Sequence, residues 1–309
     1  MAKGLVLAFH NEANSELFES ILLALKARYS LVSAARLEQF LSEGIPVNNV
    51  CHITFDDGLQ SFYSVVFPLL KKHDVPVSLF VSPAIISTGD NFWFQEIEDY
   101  REEVIKDIQA RELHVSPGKL AGFSSQDIFK CLPVSRIKKI IALYQQQEHC
   151  GKKPSQNMTA GQLKEVDHSG LVTVGAHTMN HPVLKNEDDD SCLYEITESV
   201  SVLGKLLGHP VRYFAYPNGR PEIDFGEREM NYLRMSNIAM AFSTELDTLS
   251  VNNDLLRIPR MGFARMGLSP SNPLIKLRLN LGKNWIDVKS IGQPTEKEIR
   301  EKIKTIFAG

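Results

Sequence analysis

The sequence predicts an α/β fold in which buried parallel strands alternate with helices. Short apolar runs bounded by turn signals read as strands, and between them apolar residues recur at the spacing of one helix face. The chain of 309 residues also falls within the range of single α/β barrels. Its 43% hydrophobic and 23% charged residues are those of an ordinary globular protein with one large core.

The first unit runs from a strand at Leu5 to Phe9, through His10-Asn11-Glu12, into a helix opened by Ser15 and carrying Leu17, Ile21, Leu22 and Leu25. A second helix with Leu37, Phe40 and Leu41 ends near Gly44, and Pro46 separates it from the strand Val50 to Phe55. Another helix follows Asp56-Asp57-Gly58 with Phe62, Val65, Val66 and Leu69 on one side, and Pro68 inside it predicts a kink or an early end. Val77 to Val81, after Pro76, is the third strand.

From about 91 to 155 the alternation gives way to charged, amphipathic helical sequence with Ile137, Ile140, Ile141 and Tyr144 on one face, which reads as an insertion. Its aromatic cluster, Phe92-Trp93-Phe94, reads as packing at the root of that insertion rather than as a lid or a sugar-stacking surface. The alternation resumes with a helix from Thr159 to His168 and a strand from Leu171 to Ala176 that ends in His177. The acidic turn Asn186 to Asp190 reads as the solvated start of a helix carrying Leu193, Ile196, Val200 and Leu203, not as a cation site. Val211 to Tyr216 is a fifth strand, ending at Pro217-Asn218-Gly219. Ile238 to Phe242, after a helix around Glu227 to Arg234, is a sixth, and Leu256 to Arg260 a weaker seventh. The tail from about Ser269 reads as helical, and the whole chain as one domain without internal repeats.

Composition excludes several classes. A net charge of -3 with scattered Lys and Arg gives no electrostatic case for nucleic acid. The N-terminal apolar stretch is too short for a signal-peptide core, and no later stretch is long enough for a transmembrane span. Cys51, Cys131, Cys150 and Cys192 form no CxxC pair and suggest reduced thiols, so the expected compartment is the cytoplasm.

Chemistry gathers where the strands end. Thr54-Phe55-Asp56-Asp57-Gly58 puts adjacent carboxylates at the end of a buried strand. Neighbouring side chains there point in different directions, so one carboxylate can bind a metal while the other stays free to take a proton. The competing reading is a strand-to-helix turn in which Asp57 or a neighbour caps the helix from Leu59 and Gly58 supplies backbone freedom. His177-Thr178-Met179-Asn180-His181 places two imidazoles four residues apart, on one face if that turn is helical. Asp57 would complete a set of two histidines and one carboxylate, which leaves a coordination position for water or substrate as catalytic zinc requires. Both groups fall at the carboxyl ends of expected parallel strands, the face on which barrel active sites assemble. His10 ends the first strand in the same way, and the backbone N–H of Asn218 is free to point at an oxyanion. His52, inside a strand, and His73, His114, His149, His168 and His209, on helices or loops without partners, read as structural or exposed.

Three runs together resemble the polysaccharide deacetylases of the NodB-homology type: Thr54 to Gly58, His177 to His181 followed by Pro182, and Phe214-Ala215-Tyr216-Pro217-Asn218-Gly219, in that family's order. The resemblance covers roughly 4–90 and 156–263. It implies a distorted (β/α) barrel of about seven strands and metal-dependent hydrolysis of an N-acetyl group on a sugar. Carried over by position, it implies Asp57, His177 and His181 as ligands of a divalent metal, usually Zn2+, with Co2+ or Ni2+ as other candidates. It also implies Asp56 as the general base, and Tyr216, Pro217 and Asn218 as the turn that meets substrate and oxyanion.

The sequence departs from the commoner family pattern in two respects. Ala215 stands where an arginine usually orients the base, and no histidine follows His209 to serve as a late-chain acid. Some members resemble a circularly permuted arrangement in which a histidine ending the first strand is the acid, and His10 fits it. Arg260, with Arg257 as the second candidate, would then replace the arginine from the seventh strand. The expected partner is an N-acetylated sugar or glycan and, for a cytoplasmic protein, a soluble or lipid-linked precursor. Hydrolysis of a small non-carbohydrate amide or imide, and a catalytically inactive glycan-binding role, are the alternatives.

Overall fold

The computed structural model describes residues 3–262 and 295–308. Its strands are β1 (Leu5–Phe9), β2 (Ser30–Leu31), β3 (Val50–Phe55), β4 (Val77–Val81), β5 (Val172–Ala176), β6 (Tyr213–Ala215), β7 (Met240–Phe242) and β8 (Met261–Gly262). They pair in the order β7-β6-β5-β4-β3-β1-β8, with β2 against β3, and every pair is parallel. The helices are α1 (Ser15–Lys26), α2 (Ala34–Ser42), α3 (Phe67–His73), α4 (Pro83–Thr88), α5 (Trp93–Glu96), α6 (Glu102–Glu112), α7 (Pro117–Leu120), α8 (Ser125–Phe129), α9 (Val134–Gln147), α10 (Ala160–His168), α11 (Asp189–Leu207), α12 (Glu227–Met235) and α13 (Glu296–Ala308).

β1, β3 and β4 are buried at every position, as strands covered on both faces must be. Their alternate side chains serve two cores. Leu5, Leu7, Phe9, Cys51, Ile53, Phe55, Val77, Leu79 and Val81 pack with the surrounding helices. Val6, Phe80, Tyr213, Ala215, Met240, Phe242 and Ile258 form a second cluster on the inner face. The result is a distorted (β/α) barrel.

The expected seventh strand is displaced. Its regular ladder lies at Met261 and Gly262, which pair with Leu7 and Ala8, while Leu256 to Arg260 is irregular. Ile258 nonetheless donates to Ala241 O at 2.9 Å and accepts from Ser243 N at 2.8 Å, so this segment links β7 back toward β1. Proline at 259 cannot donate to a ladder, which explains the break.

Pro68 does not end the helix. A π-helical turn at Phe62–Val66 precedes it, the Phe67 N–H reaches back to Phe62 O, and Pro68 falls in the first turn of α3. The extra residue in that turn relieves the demand for a donor that proline lacks.

Asp188 caps α11 by accepting from Ser191 N at 2.8 Å, as the acidic turn predicts. Its neighbour Glu187 is not a solvated charge, however. It is buried and accepts from Val134 N at the start of α9 at 2.7 Å, and burial pushes its carboxyl up to about 7. His73 and His209 also have partners, Glu19 at 2.6 Å and Asp167 at 2.8 Å. His52 is structural, bonded to Val32 O and Ser78 Oγ inside the barrel.

Helices α5 to α9 fill the stretch read as helical, and they share a hydrophobic cluster that includes Ile303 of α13. The tail helix expected from 269 falls outside the described residues as far as 294; α13 follows. Among the described residues no helix is long and apolar enough to cross a membrane.

Candidate active site

β3 continues one residue past its last pair, because Asp56 N donates to Phe9 O at 3.1 Å. The chain then turns left-handed at Asp57 (φ 72°) and Gly58 (φ 70°), which sends the two carboxylates apart. A Cβ at Gly58 would lie 2.8 Å from Val81 Cγ1, so only glycine fits there. Asp57 does not cap a helix: its Oδ1 is buried with no hydrogen-bond partner.

Asp56, 3% exposed, is gripped by the fully buried Arg260, with Nη1 on Oδ1 at 2.8 Å and Nη2 on Oδ2 at 2.9 Å. The guanidinium is itself fixed, donating from Nε to Ser243 O at 3.0 Å and from Nη1 to Thr54 Oγ1 at 3.1 Å. Burial raises the Asp56 carboxyl, but Arg260, with His177 and His10 behind it, outweighs burial and holds it well below the usual carboxylate range. His10 stands at the rim, its side chain 56% exposed and its Nε2 3.8 Å from Asp56 Oδ2. Arg257 points elsewhere, pairing with Glu245 at 3.0 Å.

β5 delivers the histidine pair. His177 N donates to Val81 O at 2.9 Å, and its Nδ1 meets Ala215 O at 2.6 Å. A carbonyl only accepts, so Nδ1 carries the proton and Nε2 is the nitrogen left to face Asp57 Oδ1, 3.8 Å away. His181 Nε2 lies 3.5 Å from the same oxygen. The turn between them is not helical. Thr178 (φ 63°) and His181 (φ 58°) are left-handed, and His181 N donates to Thr178 Oγ1 at 3.0 Å, which folds the second ring back beside the first.

The separations of 3.5 and 3.8 Å are too long for hydrogen bonds. They are close to the roughly 3.3 Å between neighbouring ligands of a tetrahedral ion bonded at about 2.0 Å. Asp57, His177 and His181 form a buried group whose donor atoms lie within 4.8 Å of one another. Burial lowers the pKa of both imidazoles, which keeps them neutral with a lone pair to offer, and burial raises Asp57, a carboxylate short of a cation. The donor set fits a divalent metal.

The turn after β6 supplies another wall. Asn218 is left-handed (φ 58°), Gly219 N donates to Pro217 O at 2.6 Å, and Thr244 Oγ1 donates to Asn218 O at 2.6 Å. Pro217 is buried in this turn. The Tyr216 hydroxyl donates to Leu256 O at 2.9 Å and its ring stacks on Phe225, so that side chain anchors the turn. A cavity of about 170 Å³ opens over these groups, lined by His10, Asp56, Asp57, His177, His181, Tyr216, Asn218 and Thr244 and, from the helical stretch, Trp93, Phe94, Gln126 and Lys130.

The sequence profile of the family described as polysaccharide deacetylase matches residues 44–116 and 129–233. The chain belongs to the polysaccharide deacetylase family. Asp56, Asp57, His177, His181 and Asn218 lie inside the matched residues, and His10 and Arg260 lie outside them. Its fold is shared with the deacetylase PplD of Streptococcus pyogenes, solved in complex with acetate (TM-score 0.57, 21% identity, 88% of this chain and 97% of that one). It is shared as well with IcaB of Ammonifex degensii (0.57, 19%, 92% and 97%) and with the BpsB deacetylase domain of Bordetella bronchiseptica (0.55, 13%, 84% and 95%). No curated protein matches this chain in sequence.

The aromatic cluster corrects the reading of it as packing alone. Phe92 is a packing residue, but Trp93 and Phe94 wall the cavity, Trp93 Nε1 donates to His181 O at 3.3 Å, and the Phe94 ring centroid is 5.2 Å from that of His181. Gln126, Lys130 and Thr244 carry no motif that could have marked them. Three aromatics in a row at the point where the strand-helix alternation breaks were the one available signal for the wall.

Proposed function

We propose that this protein is a metal-dependent hydrolase that removes an N-acetyl group from an amino sugar in a glycan or glycan precursor. The observation that carries this reading is the division between two adjacent carboxylates. Asp57 faces two neutral imidazoles with an oxygen no hydrogen bond claims, while Asp56 is clamped by Arg260.

Asp57, His177 and His181 would hold a divalent cation, Zn2+ by its nitrogen-rich donor set, which supplies polarisation of the acetamide carbonyl and acidification of a water. Asp56 takes that water's proton. Arg260 keeps it ionised and aimed, at some loss of basicity, and each of its oxygens retains a lone pair for the transfer. The hydroxide oxygen bonds the acetyl carbon, and the Asn218 N–H supports the developing oxyanion. The carbon–nitrogen bond then breaks, the sugar nitrogen takes a proton from His10 at the open rim, and acetate and the free amine leave. Trp93 and Phe94 give the sugar an apolar wall. The four free cysteines, three of them buried, support a reducing compartment and hence a soluble or lipid-linked precursor as substrate.

Zinc content and release of acetate from N-acetylated sugars, with cyclic amides assayed beside them, test this in three variants. Asp56→Asn retains zinc and loses about 10²–10⁴-fold in kcat. His10→Ala also keeps zinc and slows sharply, whereas His181→Ala loses the metal. Ordinary turnover by Asp56→Asn, or turnover of cyclic amides alone, overturns the assignment.

A further inference from the structure

The loop that carries both histidines is held in a conformation its own residues disfavour. Thr178 and His181 are left-handed, and a β-branched residue such as Thr178 rarely adopts that region. Such backbone persists only where its surroundings over-determine it. On one side Ser82 Oγ donates to His177 O at 2.8 Å. On the other, three donors from two consecutive loop residues end on a single residue of α11. Met179 N donates to Glu195 O at 3.1 Å, Asn180 N to Glu195 Oε2 at 2.8 Å, and Asn180 Nδ2 to Glu195 Oε1 at 2.7 Å.

Glu195 is 3% exposed. A buried carboxylate is expensive unless its oxygens are occupied, and here Asn180 occupies both. The amide is oriented from behind as well: Lys138 Nζ, on α9, donates to Asn180 Oδ1 at 2.6 Å. Asn180 thus lies between a cation and an anion, with each of its side-chain polar atoms assigned. Met179 and Asn180 are two of the three residues between the imidazoles, and Asn180 directly precedes His181, so where Asn180 sits helps decide how far His181 stands from His177.

We infer that Glu195 is a positioning residue for the metal-binding pair: by holding Asn180 through backbone and side-chain N–H groups, it sets the spacing of His177 and His181. This rests on the metal-site reading above. Glu195 does not line the cavity and touches no reacting group; it acts through the loop.

Glu195→Gln tests this, because it keeps the shape but turns one acceptor oxygen into an NH2 group facing a donor. Partners that orient metal-binding histidines are typically worth about 10–100-fold in affinity. The variant is therefore expected to bind Zn2+ about 10–100-fold more weakly in competition with a chromophoric chelator, and to show an altered Co2+ absorption spectrum. Adding Asn180→Asp restores an acceptor for the new amide and leaves Lys138 an acceptor too, so the double variant should recover much of the affinity. Wild-type Zn2+ affinity and an unchanged Co2+ spectrum in Glu195→Gln overturn the inference, even if the melting temperature falls. If that variant does not fold, Asn180→Ala carries the same expectation and the same refutation. His181→Ala separates the two readings: if it too binds Zn2+ like the wild type, the metal site itself is wrong, whereas its loss of Zn2+ beside a normal Glu195→Gln refutes only the role of Glu195.

Discussion

Arg260 and Asp56 meet across 204 positions of sequence, and their pairing has a direct consequence for stability and pH. Arg260→Met leaves a carboxylate buried and uncompensated, which typically costs about 3–5 kcal/mol, read as a lower urea midpoint at neutral pH. The folded Asp56 carboxyl lies below its unfolded value, so the pair's stabilisation is complete above the ordinary carboxylate pKa and is lost as pH falls through the depressed one. In the variant the largest lowering influence is gone and only His177 and His10 are left to oppose burial, so Asp56 rises. The acid limb of activity should move to higher pH than in the wild type, and an unmoved limb would show that Arg260 does not set the charge of Asp56. At this scale the motif residues were legible, because adjacent aspartates and spaced histidines at strand ends are a chemical pattern in themselves. Arg260 was reachable only through the family's missing arginine. Lys130 and Thr244 were not legible, since nothing local in a sequence says which lysine or threonine a cavity will meet.

The elements place these residues by close approach. A Cβ at Gly175 in β5 would lie 2.6 Å from Phe80 Cδ1 and 2.7 Å from Tyr213 O, so this glycine lets β4, β5 and β6 come together just before His177. Gly175→Ala should cost about 1–3 kcal/mol in denaturant unfolding through overpacking and should weaken Zn2+ binding, because the strand that aims His177 must shift. A variant with wild-type midpoint and affinity would mean the strands have room to spare. The strands themselves were readable as apolar runs of the right length. Their ends were less so, because β6 and β7 keep three residues each where five or six apolar ones suggested more, and Pro259 divides the last strand. The histidine turn defeated a helical reading for a related reason: four-residue spacing fits one helical turn and a left-handed loop equally, and the Thr178 hydroxyl with Glu195 decides between them.

Across the whole molecule, the last described helix connects parts that are remote in sequence. Ile303 is buried in the cluster formed by α5 to α9, and Arg300 pairs with the buried Asp224 in the loop beyond Asn218. Glu296 receives Lys130, a cavity residue, at 3.3 Å and Arg220 at 2.9 Å. A helix was legible in that tail, but its docking was not, because charged residues such as Glu296 and Arg300 read as solvated until their partners are known. Glu296→Gln would free Lys130 without touching Asp56, Asp57 or either ligand histidine. A partly exposed ion pair is worth up to about 1 kcal/mol, a factor of about five, and Lys130 is a cavity residue to which the proposed reaction gives no bond-breaking role. The variant should therefore change KM by up to about that factor with kcat nearly constant and little change in melting temperature. A fall in kcat at unchanged KM would instead place the influence of α13 on the reacting groups themselves.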